Sequence, residues 1–187
     1  MRHAVILAHP DPQSFNAAVA RAYVGAVEGL SHGAELRDLY ALGFDPRLPL
    51  RELPWRHDYE PGPDVVAERA ALSGADVLVF VYPLWFNAPP AMLKGYVERV
   101  LGMGFGYAAS ATGTRPLLED KRLVSISTSG APDAWATNMV VSMVRAAARR
   151  GSVPGRSWPA SLAVVVKVVS RSSSGACARR TSAPPGR

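Results

Sequence analysis

Short apolar runs that alternate with helix-forming stretches are the feature of this sequence that most constrains its fold. The three clearest runs are residues 4–8 (AVILA), 75–82 (ADVLVFVY) and 121–128 (KRLVSIST). Continuous apolar runs of this length are typical of strands that are buried on both faces of a parallel sheet. Because helical stretches separate the runs, the pattern predicts an α/β fold with helices on both sides of the sheet.

The remaining elements are predicted from helix caps and composition. Ser14 is expected to cap a first helix that reaches about Leu30, and Asp64 is expected to cap a second. A long surface loop is expected over residues 41–63, and loops of this length are often functional. The other expected elements are a more exposed strand at 34–40, a helix from 89 to about 101, a helix at 134–150 and a fifth strand at 160–169.

Charge is distributed unevenly along the chain. The net charge is +6, yet all 15 acidic residues and 12 of the 21 basic residues lie within the first 133 positions. The later positions hold the other 9 basic residues and no acid. The basic tail lacks interleaved aromatic side chains apart from Trp158, so nucleic acid is not an expected partner.

Several other classes of protein are disfavoured by the sequence. No apolar stretch approaches the roughly 20 residues of a membrane-spanning helix, and the first residues do not follow the pattern of a secretory signal peptide. The single cysteine, Cys177, cannot form an internal disulfide, which fits a reducing compartment and a cytoplasmic location. The sequence shows no metal-ligand spacing and no Ser-His-Asp order, so no metal and no catalytic residue is assigned.

The loops that follow the apolar runs are the candidate site, because ligands of parallel sheets bind at the carboxyl ends of the strands. The first loop, residues 9–16 (HPDPQSFN), leads into a helix N-terminus, where backbone N–H groups and the helix dipole favour an anion. Ser14 and Asn16 add side-chain donors, and His9 adds a donor or a positive charge. The spacing is compatible with a phosphate cradle and equally with an ordinary capped turn.

The second and third loops suit a flat aromatic ligand. In the second, residues 82–90 (YPLWFNAPP), Trp85 and Phe86 stand where the chain is expected to emerge from the sheet. An apolar platform with nearby backbone amides suits an isoalloxazine ring. The alternative is that the two rings pack against the next helix. In the third loop, residues 128–130 (TSG), small side chains allow the backbone to approach a ring closely.

Taken together, three segments carry a family resemblance. HPDPQSFN, YPLWFNAPPAMLKGYVERVLGMGFGY and KRLVSISTSGAP resemble the corresponding segments of the NAD(P)H dehydrogenase (quinone) family, the flavodoxin-like quinone reductases. The resemblance covers about residues 1–135. It implies a flavodoxin-like three-layer fold with a central five-stranded parallel sheet and an irregular C-terminal end. It also implies a homodimer with a flavin at each interface, in which hydride passes from NAD(P)H through the flavin to a quinone by a ping-pong mechanism.

The resemblance also assigns residues. FAD is expected rather than FMN, because the N-terminal motif resembles that of FAD-binding members. Phe105 and Tyr107 match the aromatic residues that line the substrate pocket, and they are expected to reach it from the partner subunit. Some members have one more residue between the leucine and the tryptophan of the aromatic loop. The flavin-binding residues that the resemblance implies are His9, Ser14, Phe15, Asn16, Pro83, Leu84, Trp85, Phe86, Thr128, Ser129 and Gly130.

The C-terminal part departs from the family. A flavin-binding domain is expected over residues 1–170, and the composition of residues 171–187 predicts a disordered basic tail. GC-rich codons for residues 153–160, read in another frame, can encode CAGAELAG, which resembles the start of the family's last strand. This suggests the hypothesis of a frameshift between about residues 138 and 152. A divergent natural tail is the alternative.

The sequence is compatible with two functions other than quinone reduction. Some proteins of this fold are flavin-binding ancillary subunits of potassium-efflux systems, and an altered tail is compatible with an inactive flavin-binding remnant. The sequence does not fix the natural quinone or the choice between NADH and NADPH.

Overall fold

The structure, a computed structural model, describes residues 1–111 and 113–130, together with the backbone of residues 163–169. The helix expected at 134–150 and the tail expected at 171–187 lie outside the described residues. The described elements, in chain order, are β1 (Arg2–Leu7), α1 (Phe15–Gly29), β2 (Gly33–Asp38), a short 3-10 helix (Leu50–Glu52), α2 (Pro63–Ser73), β3 (Val77–Pro83), α3 (Ala91–Val100), β4 (Tyr107–Ser110), β5 (Gly113–Pro116), β6 (Arg122–Ser129) and β7 (Ala163–Val169).

The described strands form a five-stranded sheet and a separate hairpin. The sheet has the order β2-β1-β3-β6-β7, and β4 pairs with β5 in the hairpin. The first four strands of the sheet are parallel. This topology confirms the expected flavodoxin-like fold, in which the loops after β1 and β3 diverge at the point where the strand order reverses.

The direction of the fifth strand corrects the expectation of an all-parallel sheet. β7 runs antiparallel to β6, with Ala163 opposite Ser129 and Val169 opposite Leu123. The chain therefore re-enters the sheet at the edge where β6 ends. An antiparallel pair is what results when the incoming strand starts beside the end of its neighbour. The apolar content of the run correctly predicted a strand, but it carries no information about direction.

The central strands β1 and β3 are buried on both faces, as their apolar runs predict. The pleat sends alternate residues to opposite sides, so Val5 and Leu7 pack with α1 while Ala4 and Ile6 pack with α2 and α3. Each face thereby forms its own cluster of buried side chains. None of the described helices is long and apolar enough to cross a membrane.

The helix caps differ in part from the expectation. Ser14 caps α1 as predicted, since its hydroxyl accepts a hydrogen bond from the backbone N–H of Ala17 at 3.2 Å. The expected cap of α2 is wrong. Gly62 is the N-cap residue and Pro63 opens the helix, which leaves Asp64 within the first turn. The carboxylate of Asp64 binds Arg99 instead.

The long connection between β2 and α2 is held down by Arg99, which lies on the buried side of α3. The guanidinium binds both oxygens of Glu52, with Nε to Oε2 at 2.8 Å and Nη2 to Oε1 at 2.7 Å. It also donates to both oxygens of Asp64 and to the backbone carbonyl of Asp45. The ring of Phe44 lies 5.1 Å from the guanidinium carbon. One cation thus fixes two points of the loop and the first turn of α2 against α3.

Burial and ion pairing shift the pKa values of the carboxyl groups bound to Arg99 in opposite directions. Burial alone raises the pKa of Glu52, but hydrogen bonds from Arg99 and from the backbone of Gly62 outweigh it and lower the pKa. The pKa of Asp64 is lowered for the same reason, again against the effect of burial. Because both folded-state pKa values lie below their ordinary values, the stability that these carboxylates contribute is present at neutral pH. It is lost as the pH falls through the lowered values.

We expect Arg99→Met to destabilise the fold strongly, because it leaves the buried carboxylate of Glu52 without its cation. Breaking a buried ion pair in this way costs about 3–5 kcal/mol. The difference from the wild type should be largest near neutral pH and should narrow below about pH 4, where carboxyl groups are protonated. Thermal unfolding followed by circular dichroism at several pH values measures both effects.

Arg47→Met is the matched control, since Arg47 pairs with Asp45 on the surface and its side chain is 88% exposed. Exposed pairs contribute little, so this variant should unfold near the wild-type temperature. Equal shifts for the two variants would contradict the role assigned to Arg99.

Candidate functional site

The registers of the parallel strands bring three loops to one edge of the sheet. Leu7 lies opposite Val81, and Pro83 lies opposite Thr128, so β1, β3 and β6 end side by side. The segments that leave these ends are residues 8–16, 84–90 and 128–130, which we call the three-loop site. These are the segments that carry the family resemblance.

The first loop is folded into a compact turn ahead of α1. The backbone N–H of Asp11 donates to Nδ1 of His9 at 3.0 Å, and the backbone N–H of Gln13 donates to the carboxylate of Asp11 at 2.8 Å. The backbone N–H of Ser14 closes the turn on the carbonyl of Asp11 at 3.0 Å. The loop therefore delivers the chain to a helix N-terminus, which is a favourable place for an anion. Ser14 is buried in its capping role and Phe15 is half-buried beside it.

Asn16 joins the first loop to the third. Its side chain is buried, and its amide and the hydroxyl of Thr128 are hydrogen-bonded, with Oγ1 3.0 Å from Nδ2 and 3.1 Å from Oδ1. The sequence assigned both residues to flavin contacts without linking them. An amide nitrogen carries two donors, and the contact with Thr128 engages only one of them. Asn16 therefore ties the loops together, and the contact with Thr128 leaves the second hydrogen of its amide nitrogen uncommitted.

The second loop is tied to the third through the backbone. The N–H of Leu84 donates to the carbonyl of Thr128 at 2.7 Å, and Pro83 just before it is buried in β3. Of the third loop, Ser129 is buried and Gly130 is exposed. The small residues at the end of β6 thus lie directly beside the aromatic loop, as the resemblance implies.

A tight turn presents the aromatic residues of the second loop. Trp85 and Ala88 exchange two backbone hydrogen bonds of 3.0 and 3.1 Å, which closes a two-residue hairpin. The two central residues, Phe86 and Asn87, have positive φ angles of 52° and 58°. This is the conformation of a type I′ turn, which Asn tolerates but a bulky residue such as Phe rarely adopts. Backbone strain of this kind is concentrated at functional sites.

The exposed fractions of Trp85 and Phe86 bear on whether the two rings form an accessible platform or pack against the next helix. Phe86 is fully exposed, and Trp85 keeps 43% of its surface exposed. Phe86 therefore does not pack against the next helix, which was the alternative considered from the sequence. The ring of Trp85 lies 5.7 Å from the ring of His9, measured between centroids. An accessible aromatic surface thus stands next to the loop that precedes α1.

Phe105 and Tyr107 lie in a different part of the chain. Phe105 is half-buried against the core cluster formed by α2 and α3. Tyr107 opens β4, and its carbonyl accepts a hydrogen bond from Gly104, whose φ is +84°. The expectation that these two residues serve a pocket of the partner subunit stays a prediction.

Sequence reasoning missed the polar residues that hold the long loop and the C-terminal end of α3. Arg99, Glu52 and Arg69 were not singled out, although each makes hydrogen bonds to the segments around α3. For Arg99 a signal was present. It follows Leu93 and Tyr96 at helical spacing, so it lies on the buried face of α3. Within residues 1–111 and 113–130, no group of three or more His, Cys, Asp or Glu side chains is arranged to hold a metal ion.

Opposite effects on stability and on ligand binding are expected for Phe86→Gly. Glycine removes the unfavourable left-handed conformation, so the apoprotein should gain about 0.5–1 kcal/mol. If Phe86 forms part of a ring-binding platform, flavin retention should fall at the same time. Chemical denaturation of the apoprotein and flavin titration measure the two effects separately.

Phe86→Ala is the matched control for this prediction. It removes the same ring but keeps an L residue at a positive φ, so it should weaken flavin retention without the gain in stability. A stability gain that is equal in both variants would mean that the turn at Phe86 is unstrained.

Residues 1–149 of the chain match the sequence model of a protein family that is described as having a flavodoxin-like fold. Among curated proteins, NAD(P)H dehydrogenase [quinone] 1 of Rattus norvegicus is 34% identical over 147 residues, which cover 69% of this chain and 54% of the rat protein. An uncharacterized NAD(P)H oxidoreductase of Haemophilus influenzae is 34% identical over 131 residues, which cover 70% of this chain and 65% of that protein. The chain thus spans about half the length of the rat relative.

Solved structures give the same result. The NAD(P)H:quinone oxidoreductase from Methanothermobacter marburgensis superimposes with a TM-score of 0.64 at 29% identity, over 72% of this chain and 69% of that one. Smu.1420 from Streptococcus mutans UA159 gives a TM-score of 0.62 at 28% identity, over 73% of this chain and 72% of that one. The resemblance inferred from the three loops is therefore confirmed, and the chain belongs to the family of flavodoxin-like fold that these quinone reductases share.

Proposed function

We propose that the protein is a flavin-dependent NAD(P)H:quinone oxidoreductase. The observation that carries the proposal is the convergence of three loops at one sheet edge. There the exposed rings of Trp85 and Phe86 stand beside His9 and the start of α1. The relatives named as quinone reductases supply the reaction type. Their names lend no support to the alternative of a potassium-efflux subunit.

The residues of the three-loop site fit a flavin in two respects. A flavin combines a flat apolar ring with an anionic phosphate. The site offers an exposed aromatic surface 5.7 Å from His9, together with a helix N-terminus within the same loop. The small residues at the end of β6 lie next to the aromatic loop, where backbone can approach a ring edge. We assign the isoalloxazine to Trp85 and Phe86 and the phosphate to the start of α1.

The chain's own groups then have simple tasks in the reaction. A bound flavin would accept hydride from NAD(P)H and pass two electrons to the quinone. Trp85 and Phe86 would stack beside the ring and exclude water from one side of it. The start of α1, with Asn16 and His9, would hold the phosphate. It would thereby position the isoalloxazine ring against the aromatic side chains of the second loop. Thr128 would keep Asn16 in place from the third loop.

The proposal also covers the type of flavin, the oligomeric state and the cellular location. We infer FAD rather than FMN from the likeness of the first loop to FAD-binding members. A FMN-dependent NADH-azoreductase from Bacillus anthracis, determined in complex with FMN, shares the fold at 24% identity and a TM-score of 0.55. We infer a homodimer because the long loop carries large exposed apolar residues, including Trp55 at 77% and Leu50 at 65% exposure. We place the protein in the cytoplasm, which suits its single cysteine.

The C-terminal part of the chain departs from the pattern of the family. We propose a flavin-binding domain over residues 1–170 followed by a disordered basic tail, and a frameshift between about residues 138 and 152. The end of the family match at residue 149 supports the frameshift. Sequencing the gene across these codons tests it, and an intact frame would refute it.

We expect the purified protein to bind a flavin and to reduce quinones with NADH or NADPH. Oxidised flavin absorbs near about 370 and 450 nm, so the spectrum reports binding, and mass analysis of the released cofactor separates FAD from FMN. Menadione-dependent oxidation of NAD(P)H measures turnover. A yellow protein without turnover would support the inactive remnant, and failure to take up either flavin would overturn the proposal.

Asn16→Leu and Thr128→Val together test whether Asn16 contacts the phosphate. Both variants break the same buried contact, and each should cost about 1–3 kcal/mol of stability because a buried polar group loses its partner. Only Asn16→Leu also removes a donor from the phosphate, so it should lower flavin affinity about tenfold or more beyond the effect of Thr128→Val.

The measurements are flavin titration and chemical denaturation of both variants. Equal losses of flavin affinity in the two variants would show that Asn16 acts only as the link between the loops.

A further inference from the structure

Arg69 is the polar centre of a region that lies outside the three-loop site. It lies on α2, half-buried, and its guanidinium reaches the C-terminal end of α3. Nε donates to the carbonyl of Val100 at 2.9 Å, and Nη2 donates to the carbonyl of Arg99 at 3.1 Å. The last carbonyls of a helix lack partners within the helix, and a cation there is favoured by the helix dipole. Arg69 therefore fixes where α3 ends.

The same guanidinium also organises the chain beyond the helix. Nη2 donates to the hydroxyl of Tyr59 at 3.1 Å, and that hydroxyl donates to the carbonyl of Met103 at 2.8 Å. The guanidinium carbon lies 5.9 Å from the centre of the Phe105 ring, within the range of a cation–π contact. Arg69 and Tyr59 thus hold the segment from the end of α3 to Phe105 at several points.

The turn between α3 and β4 is built closely around this cation. A Cβ atom placed on Gly102 would lie 3.6 Å from Nη2 of Arg69, and one placed on Gly104 would lie 3.8 Å from Nη1. Gly104 also has a φ of +84°, a backbone conformation that residues other than glycine rarely adopt. Both glycines of the turn thus lie within ordinary contact range of the guanidinium, and Phe105 follows directly after them.

We propose that Arg69 is a positioning residue that sets the orientation of residues 103–107 and thereby determines which acceptors the enzyme uses. The proposal rests on the proposed function and on the prediction that Phe105 and Tyr107 line the acceptor pocket of the partner subunit. A planar guanidinium donates in several fixed directions at once and lies against a ring. A lysine ammonium cannot reproduce that geometry. The order of this segment thus depends on the shape of the Arg69 side chain as well as on its charge.

The first test measures the segment directly and needs no enzyme activity. Hydrogen exchange of the flavin-loaded wild type, Arg69→Lys and Arg69→Met is followed by mass spectrometry. We expect at least a tenfold faster exchange in residues 102–107, where the amides of residues 104–106 are hydrogen-bonded within the turn, and little change in β1 and β3. Arg51→Lys is the control, because Arg51 is exposed on the long loop. Unchanged exchange in residues 102–107 for both Arg69 variants would overturn the positioning role.

The second test measures acceptor use with menadione and with a bulkier ubiquinone analogue. We expect Arg69→Lys to raise KM for the bulkier quinone about tenfold while kcat, flavin affinity and Tm change little. A fall in Tm with an unaltered ratio of kcat/KM between the two quinones would show a merely structural role. If the flavin-loaded wild type reduces neither quinone, the proposed function fails and the acceptor role fails with it. The exchange experiment then decides the positioning role alone.

Discussion

The pairing of β3 between β1 and β6 is the constraint on which the rest of this structure depends. The first two loops are separated by 67 residues of chain and the last two by 37, and the three meet only because these strands are parallel and in register. Buried apolar side chains on both faces fix that register, since a slip by one residue would turn each side chain to the opposite face. The exposed aromatic turn and the start of α1 are therefore carried by the buried central strands of the sheet.

A second level of support lies between the long loop and α3. The loop is rich in Pro, Gly and charge, and Phe44 is its buried aromatic contact with the core. Arg99 supplies the anchor by binding Glu52 and Asp64 at once. Gly95 permits the close contact, because a Cβ at this position would overlap the backbone of Pro46. Charge and close backbone approach thus add to the apolar packing of Phe44 in holding the loop.

The sequence predicted those features of the fold that depend on local pattern. The three buried strands follow from continuous apolar runs, and the cap by Ser14 follows from its place before an Ala-rich stretch. The cap of α2 was wrong because Asp64 had a stronger partner, Arg99, which is 35 residues away. The direction of β7 could not be predicted, since it depends on the edge at which the chain re-enters the sheet.

The candidate site was predicted by composition rather than by geometry. Residue types identified the three loops, but they could not show that Asn16 and Thr128 contact each other across 112 residues of chain. They also left open whether Phe86 is core or surface, because the answer depends on the backbone bonds between Trp85 and Ala88. The role of Arg69 has no sequence signal at all, since a single arginine on a helix is usually a solvated residue.

Arg69 and Phe86 illustrate two ways in which this fold controls aromatic side chains around a ligand. Phe86 is held outward by a strained backbone, so its exposure is enforced against the preference of the residue. Phe105 is held inward by a cation and by the core, so its position depends on packing. A ring that must meet a planar cofactor benefits from a fixed and accessible surface. A ring that lines an acceptor pocket can be adjusted through the residues behind it. Selection for new acceptors would therefore act on residues such as Arg69 and Tyr59, which can change while the cofactor loops stay the same.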